Sequence, residues 1–187
     1  MAQIDNILQI IENEELEDIL CKGWIDNDEE ISRFVPHLST VYLEFKSKYL
    51  KLYRKQTTDF DIEMSLMEKD KLKDEKYTHE VYEEYQFCIS SLYNMFIYEC
   101  RKNYKISEIE MYCESEEKYN NGIVKCIGIQ ILSNSYVFFD GLGLNSIEIG
   151  KREERDKWFD FIPNMEQNVL VDFIPKDLIY KKCQFTR

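Results

Sequence analysis

The sequence predicts an α+β domain, with an N-terminal helical half packed on one face of a C-terminal antiparallel meander sheet of about four to five strands. Three observations carry this. Apolar residues recur at helical spacing up to about residue 104, the period changes to two after Lys105, and the stretch Gly122–Gly150 is the richest in β-branched and aromatic residues. The whole chain of 187 residues is expected to form one domain, mainly helical over 1–104 and mainly sheet over 105–187, with a short helix near 151–161.

In the first half, Ile4, Ile7, Leu8 and Ile11, then Leu16, Ile19 and Leu20, predict an amphipathic helix over 3–22 that slips phase near Asn13 and stops at Gly23. A second stripe, from Ile31 through Phe34, Leu38, Val41, Phe45 and Tyr49 to Leu52 and Tyr53, predicts a helix kinked or restarted at Pro36. Lys46, Lys48, Lys51, Arg54 and Lys55 at its end suit either a helix dipole or an anion patch. A loop and a weak helix are expected around 61–72. The broadest stripe, Val81, Tyr85, Cys88, Leu92, Met95 and Phe96, predicts a long helix over 75–103 lying across the sheet.

In the second half, Ile109, Met111 and Cys113 alternate with Glu108, Glu110 and Tyr112, predicting a strand with one wet face. Asn121-Gly122 marks a turn after the loop Glu114–Glu117, and Ile127, Ile129 and Ile131 then share one face of a central strand. The opposite face of that strand carries Val124, Cys126, Gly128 and Gln130, with a glycine where another group can approach closely. Strands are expected at 136–140, 146–150 and 169–173, and the tail after Pro175 reads as a short helix or edge strand.

The net charge of −12 is concentrated at the start. Residues 1–30 hold ten acids (Asp5, Glu12, Glu14, Glu15, Glu17, Asp18, Asp26, Asp28, Glu29 and Glu30) against one base, Lys22. Such a chain is a poor ligand for a phosphate backbone, so no nucleic acid is expected as partner; a basic protein is favoured, since opposite fields speed encounter. The acidic N-terminus lacks the basic start of a signal peptide, and no apolar run approaches 18 residues; a cytoplasmic protein without membrane association is expected. The six cysteines, none in C-x-x-C spacing, read as reduced core residues.

No catalytic, nucleotide or cofactor motif occurs. His37 and His79 lack ligand-spaced partners, and Gly141-Leu142-Gly143 suits a hairpin turn better than a phosphate cradle. Asp59, Asp61 and Glu63 form a D-x-D-x-E run without the glycine of a calcium loop. No catalytic residue, cofactor or metal is therefore assigned.

The function class expected is a non-catalytic acidic protein that neutralises a basic protein partner, as immunity or antitoxin-type inhibitors neutralise toxins such as nucleases. Its contact candidates are Glu14, Glu15, Asp18, Asp26, Asp28, Glu29 and Glu30, the loop acids Glu114, Glu116 and Glu117, and Tyr82 with Glu83 on the tyrosine-rich segment. The alternatives are an enzyme with a carboxylate-based metal site, or a self-associating module whose broad apolar stripes pair in a homodimer.

Overall fold

The computed structural model describes residues 2–27, 32–54, 60–75, 86–93, 104–132, 135–141, 146–157 and 178–185. It overturns the expected fold class. The chain is built of two antiparallel sheets, and the N-terminal half is mostly strand. One helix, α1 (Gln3–Asn13), precedes β1 (Glu15–Asp26), β2 (Arg33–Phe45), β3 (Lys48–Arg54), β4 (Ile62–Glu68), a 3-10 helix (Lys69–Asp74), β5 (Gln86–Ser91) and β6 (Tyr104–Lys105). Then come β7 (Glu108–Cys113), the short α2 (Glu116–Asn120), β8 (Ile123–Val124), β9 (Cys126–Leu132), β10 (Ser135–Asp140), β11 (Glu148–Gly150), a helical turn over 152–157, and β12 (Ile179–Gln184).

The first sheet has the order β5-β1-β2-β3-β4-β8, with β6 also on β1; the second has the order β11-β10-β9-β7-β12. Sequence neighbours therefore pair through β1–β4, and β7, β9, β10 and β11 form the meander expected of residues 105–150, with β9 central. The tail is an edge strand on β7. One apolar core joins both sheets and α1. Ile4, Ile7 and Ile11 of α1, Leu16, Ile19, Val41, Leu43, Phe45, Leu50 and Leu52 of the first sheet, and Ile109, Met111, Ile127, Ile129, Val137 and Phe139 of the second are almost fully buried in it. The isoleucine face of β9 is thus covered by this shared core, which both sheets build, rather than by a helical half.

Each corrected segment has a local cause. The helix over 3–22 ends at Asn13 because residues 15–26 pair with β2. A bulge between Leu16 and Asp18 inserts one residue, so Leu16 and Ile19, three apart, both reach the core. That imitates helical spacing. Gly23 lies within β1 rather than ending a helix.

The described part of the stripe, 34–53, is two strands, β2 and β3; in β2, Val41, Leu43 and Phe45 point inward while Tyr42 and Glu44 point outward. The β-branched and aromatic content favours strand once both faces are packed. Pro36 sits where β2 has no β3 neighbour, since β3 pairs only with Thr40–Glu44; a missing N–H costs no ladder bond on that side. The β2–β3 turn falls at Lys46-Ser47, and the Glu14 carboxylate accepts from the Ser47 N–H at 2.8 Å.

The weak helix of 61–72 is β4 followed by the 3-10 helix. Of the helix over 75–103, the described part 86–91 is strand β5, paired with β1; residues 76–85, with Tyr82, Glu83 and His79, and 94–103 lie outside the described residues. So does the expected strand at 169–173. The loop Glu114–Glu117 begins α2, capped by Ser115, whose hydroxyl accepts from the Lys118 N–H at 3.1 Å. Gly122 follows with φ +68°, the left-handed turn that Asn-Gly predicts. The expected wet face of β7 is covered: Glu110 and Tyr112 are buried.

Among the described residues no helix is long and apolar enough to cross a membrane. Cys21, Cys113 and Cys126 are buried free thiols, and Cys88 and Cys183 are half-buried. Burial pushes the Cys21 thiol up to about 12 and Cys113 to about 11, so both stay protonated at neutral pH.

Candidate functional site

The residues where the chain passes from one sheet to the other form the most concentrated buried charge in the described structure. Lys125 is the single residue between β8, which pairs with β4 in the first sheet, and β9, the centre of the second. Its N–H donates to Tyr112 O (2.7 Å) and its carbonyl accepts from Gly141 N–H (2.9 Å). Its side chain is 2% exposed, and the ammonium lies 2.8 Å from Asp61 Oδ1 and 2.6 Å from Glu114 Oε1. The Asp61 contact is an ion pair out of line for a hydrogen bond.

Lys118 closes the ring from α2, 2.7 Å from Asp61 Oδ2 and in contact with Glu114 Oε2. Two carboxylates and two ammoniums alternate. Burial alone would raise the Glu114 carboxyl; hydrogen bonds from Lys118 and Lys125 outweigh it and hold the group below its usual range. Beside the ring, buried Arg54 donates from Nε to Gly141 O (2.7 Å) and lies over the Phe60 ring, 5.1 Å from its centroid. Phe60 carries φ +53°, in the left-handed region that a bulky residue rarely adopts. All four carboxylate oxygens of Asp61 and Glu114 face an ammonium, of Lys118 or Lys125. Among the described residues no group of three or more His, Cys, Asp and Glu is placed to hold a metal.

A second polar cluster covers the outer face of the second sheet. Glu110 of β7, 3% exposed, accepts from Tyr136 Oη (2.9 Å), Tyr180 Oη (3.1 Å) and Arg155 Nε (3.2 Å). Arg155 also donates to Tyr112 Oη (3.1 Å), and Arg152 lies 4.0 Å above the Tyr136 ring. Burial raises the phenols of Tyr112, Tyr136 and Tyr180, which stay neutral; Tyr136 and Tyr180 donate to Glu110, and Tyr112 accepts from Arg155. The glycine at 128 has a reason here. A Cβ on it would meet the Tyr136 hydroxyl at 1.8 Å, so the approaching group anticipated from the sequence is the tyrosine of the neighbouring strand.

The expected contact residues fall in several places. Glu14 holds the β2–β3 turn through Ser47. Asp18 accepts from Ile19 N–H (2.7 Å) and Ser91 Oγ (2.5 Å), and Asp26 lies 3.5 Å from Arg33. Glu15 is exposed at the start of β1, opposite Lys105. Glu114 is in the buried ring, Glu116 is 2.6 Å from Lys181, and Glu117 is exposed on α2. Asp28, Glu29, Glu30, Tyr82 and Glu83 lie outside the described residues. Of the basic cluster at 46–55, Lys48 pairs with Glu68 (2.7 Å), Lys51 pairs with Glu75 (2.6 Å), Arg54 is buried, and Lys55 lies outside the described residues.

Among the outward acids, those of α1 and α2 share one surface, since the two helices contact each other. Asp5 and Glu12 are exposed on α1 and Glu116 and Glu117 on α2, while the ammonium of Lys118, the one base in either helix, turns inward to the ring. Sequence reasoning counts Asp5 and Glu12 among the N-terminal acids, and Glu12 within the contact stretch 12–30, but does not bring them beside the α2 acids, because the two helices are over 100 residues apart in the chain. The ring and the tyrosine cluster were likewise hidden, as their members come from separate strands.

Comparison with family models, curated proteins and solved structures finds no match. The architecture therefore defines a two-sheet antiparallel β protein with an ion-locked seam and an acidic helical face.

Proposed function

We propose that the chain is a non-catalytic acidic binding protein that neutralises a basic protein partner, in the manner of an immunity protein acting on a toxin such as a nuclease. The observation that supports this is the α1–α2 surface, where Asp5, Glu12, Glu116 and Glu117 are exposed and Lys118 is withdrawn into the buried ring. Lys181 pairs with Glu116 at the edge of this surface, so its net sign rests on Asp5, Glu12 and Glu117; a net acidic surface raises the encounter rate with a basic one and selects against acidic partners. A nuclease is basic where it holds phosphate, so an acidic face suits the blocking of such a site.

The test is capture of a stoichiometric partner from cells of the protein's own source at low and at high salt, with wild type beside the charge-reversed variant D5K/E12K/E117K. A basic protein retained by wild type at low salt, released by salt and lost with the variant supports the reading. Retention unchanged by both salt and charge reversal contradicts it.

A further inference from the structure

The outer face of the first sheet carries a strap. The 3-10 helix Lys69–Asp74 and the following Glu75 run across β1, β2 and β3, tied at both ends by charge. At one end the Lys69 ammonium lies 3.0 Å from Glu17 and 2.9 Å from Glu44. At the other, Glu75 enters a cradle to which three adjacent strands each give one donor. Lys22 of β1 reaches Oε2 at 3.0 Å, Tyr42 Oη of β2 reaches the same oxygen at 3.0 Å, and Lys51 of β3 reaches Oε1 at 2.6 Å. Tyr42 and Lys51 are directly opposite in register.

The cradle is a built feature. Tyr42 is fully buried and the Lys22 side chain is 9% exposed, with its ammonium 5.8 Å from the Tyr42 ring centroid. Its donors stand on paired strands, so the sheet sets the backbone position from which each side chain reaches the cradle. The strap is different. Asp70, Lys71 and Lys73 are exposed and Leu72 is only half-buried, so little apolar burial holds it down. Charge-assisted hydrogen bonds are its main tie.

We propose that the Lys22–Tyr42–Lys51 cradle is a carboxylate-binding site which Glu75 fills in cis, and which the carboxylate of an acidic ligand takes when the Lys69–Glu75 strap lifts. Both oxygens of one carboxylate are engaged by ammonium and phenol donors at hydrogen-bond distance, the arrangement a dedicated receptor for that group needs. Although burial acts to raise the Glu75 carboxyl, the Lys51 and Lys22 hydrogen bonds bring it down to about 2, so the cradle favours the anion strongly. Glu75 competes as a tethered group at high effective concentration, and an outside carboxylate gains access only against it. The site is separate from the α1–α2 surface and stands or falls without it.

The test uses the full chain with Glu75→Ala and sodium acetate as the probe, at ionic strength held constant with sodium chloride. E75A is expected to melt below wild type, and acetate is expected to restore its melting temperature saturably where chloride does not. Removal of the tethered competitor is expected to tighten acetate binding by about tenfold or more relative to wild type. Adding K51M to E75A is expected to abolish the response. A short glutamate-containing peptide binding E75A more tightly than acetate assigns the ligand to acidic peptides, and equal binding assigns it to free acids; either supports the site. If E75A does not fold, E75Q takes its place in the same titration. A folded variant that ignores acetate, or an equal response with K51M present, overturns the proposal.

Discussion

Replacing Lys125 with methionine tests how the two sheets are joined. The ammonium is the hub of the seam, 2.6 Å from Glu114 and 2.8 Å from Asp61, on a side chain 2% exposed. At an effective dielectric of about 20, a contact of 2.6 Å represents roughly 6 kcal/mol of gross attraction, much of it offset by the cost of dehydrating the ions. Methionine keeps the volume, so the loss is electrostatic: two largely buried carboxylates lose one of their two cations. Breaking a buried pair from one side costs about 3–5 kcal/mol, and Lys118 still touches both acids, so about 3 kcal/mol is expected.

Urea unfolding at pH 7 reads this directly. With a slope near 2 kcal/mol/M, the midpoint should fall by about 1.5 M. The sign of the pH dependence is fixed by Glu114, whose folded carboxyl is held below 4.5. A depressed acid contributes stability that is present above its unfolded value and is lost as pH falls through the folded one. The gap between wild type and K125M should therefore be full at pH 7 and shrink below about pH 4.5. A midpoint within about 0.3 M of wild type at pH 7, or a gap that widens in acid, would refute the view that this ring locks the seam.

Two further substitutions probe the outer faces of the sheets. Gly128→Ala drives a Cβ to 1.8 Å from the Tyr136 hydroxyl, forcing the ring off Glu110 and out from under Arg152; a loss of about 2–4 kcal/mol is expected by chemical unfolding. Glu75→Gln removes a carboxylate lowered from 4.5 to about 2, which sets an upper bound of about 3 kcal/mol; because Glu75 and Lys51 are both partly exposed, screening reduces this to about 1–2 kcal/mol at pH 7. That contribution is whole above about pH 4.5 and declines towards pH 2, so thermal melts of E75Q and wild type should converge in acid.

The sequence made the second sheet readable and concealed the first, for identifiable reasons. In β9, strict alternation of Ile127, Ile129 and Ile131 with Cys126, Gly128 and Gln130 leaves one interpretation, and Asn121-Gly122 marks the turn before it. In β1 the bulge at Glu17 spaces Leu16 and Ile19 like helix neighbours. Between β2 and β3 the turn Lys46-Ser47 lacks Gly, Pro, Asn and Asp, and its stabilising acceptor is Glu14, which precedes β1. A hairpin whose turn signal lies some thirty residues away reads locally as one long helix.

The clusters of interest were still less legible. Asp61 was visible only as part of a D-x-D-x-E run, and nothing near it in the chain announces Lys118 or Lys125. Glu110 looked like a solvent-facing residue because its covering partners, Tyr136, Arg155 and Tyr180, arrive from three later elements. The glycine at 128 was the one usable signal, marking a close approach without saying by what. Charge counting placed the acids correctly at the N-terminus yet could not tell those tied inward, such as Glu14 and Asp18, from those left outward, such as Asp5 and Glu12.

The most direct measurement on the central claim is the association rate of the captured basic partner, by stopped flow, as ionic strength is raised. An acidic α1–α2 face acting as the docking surface predicts a rate that falls steeply with salt, and a D5K/E12K/E117K variant whose rate at low salt is about tenfold or more below wild type. A rate indifferent to salt, or unchanged in the charge-reversed variant, would contradict it.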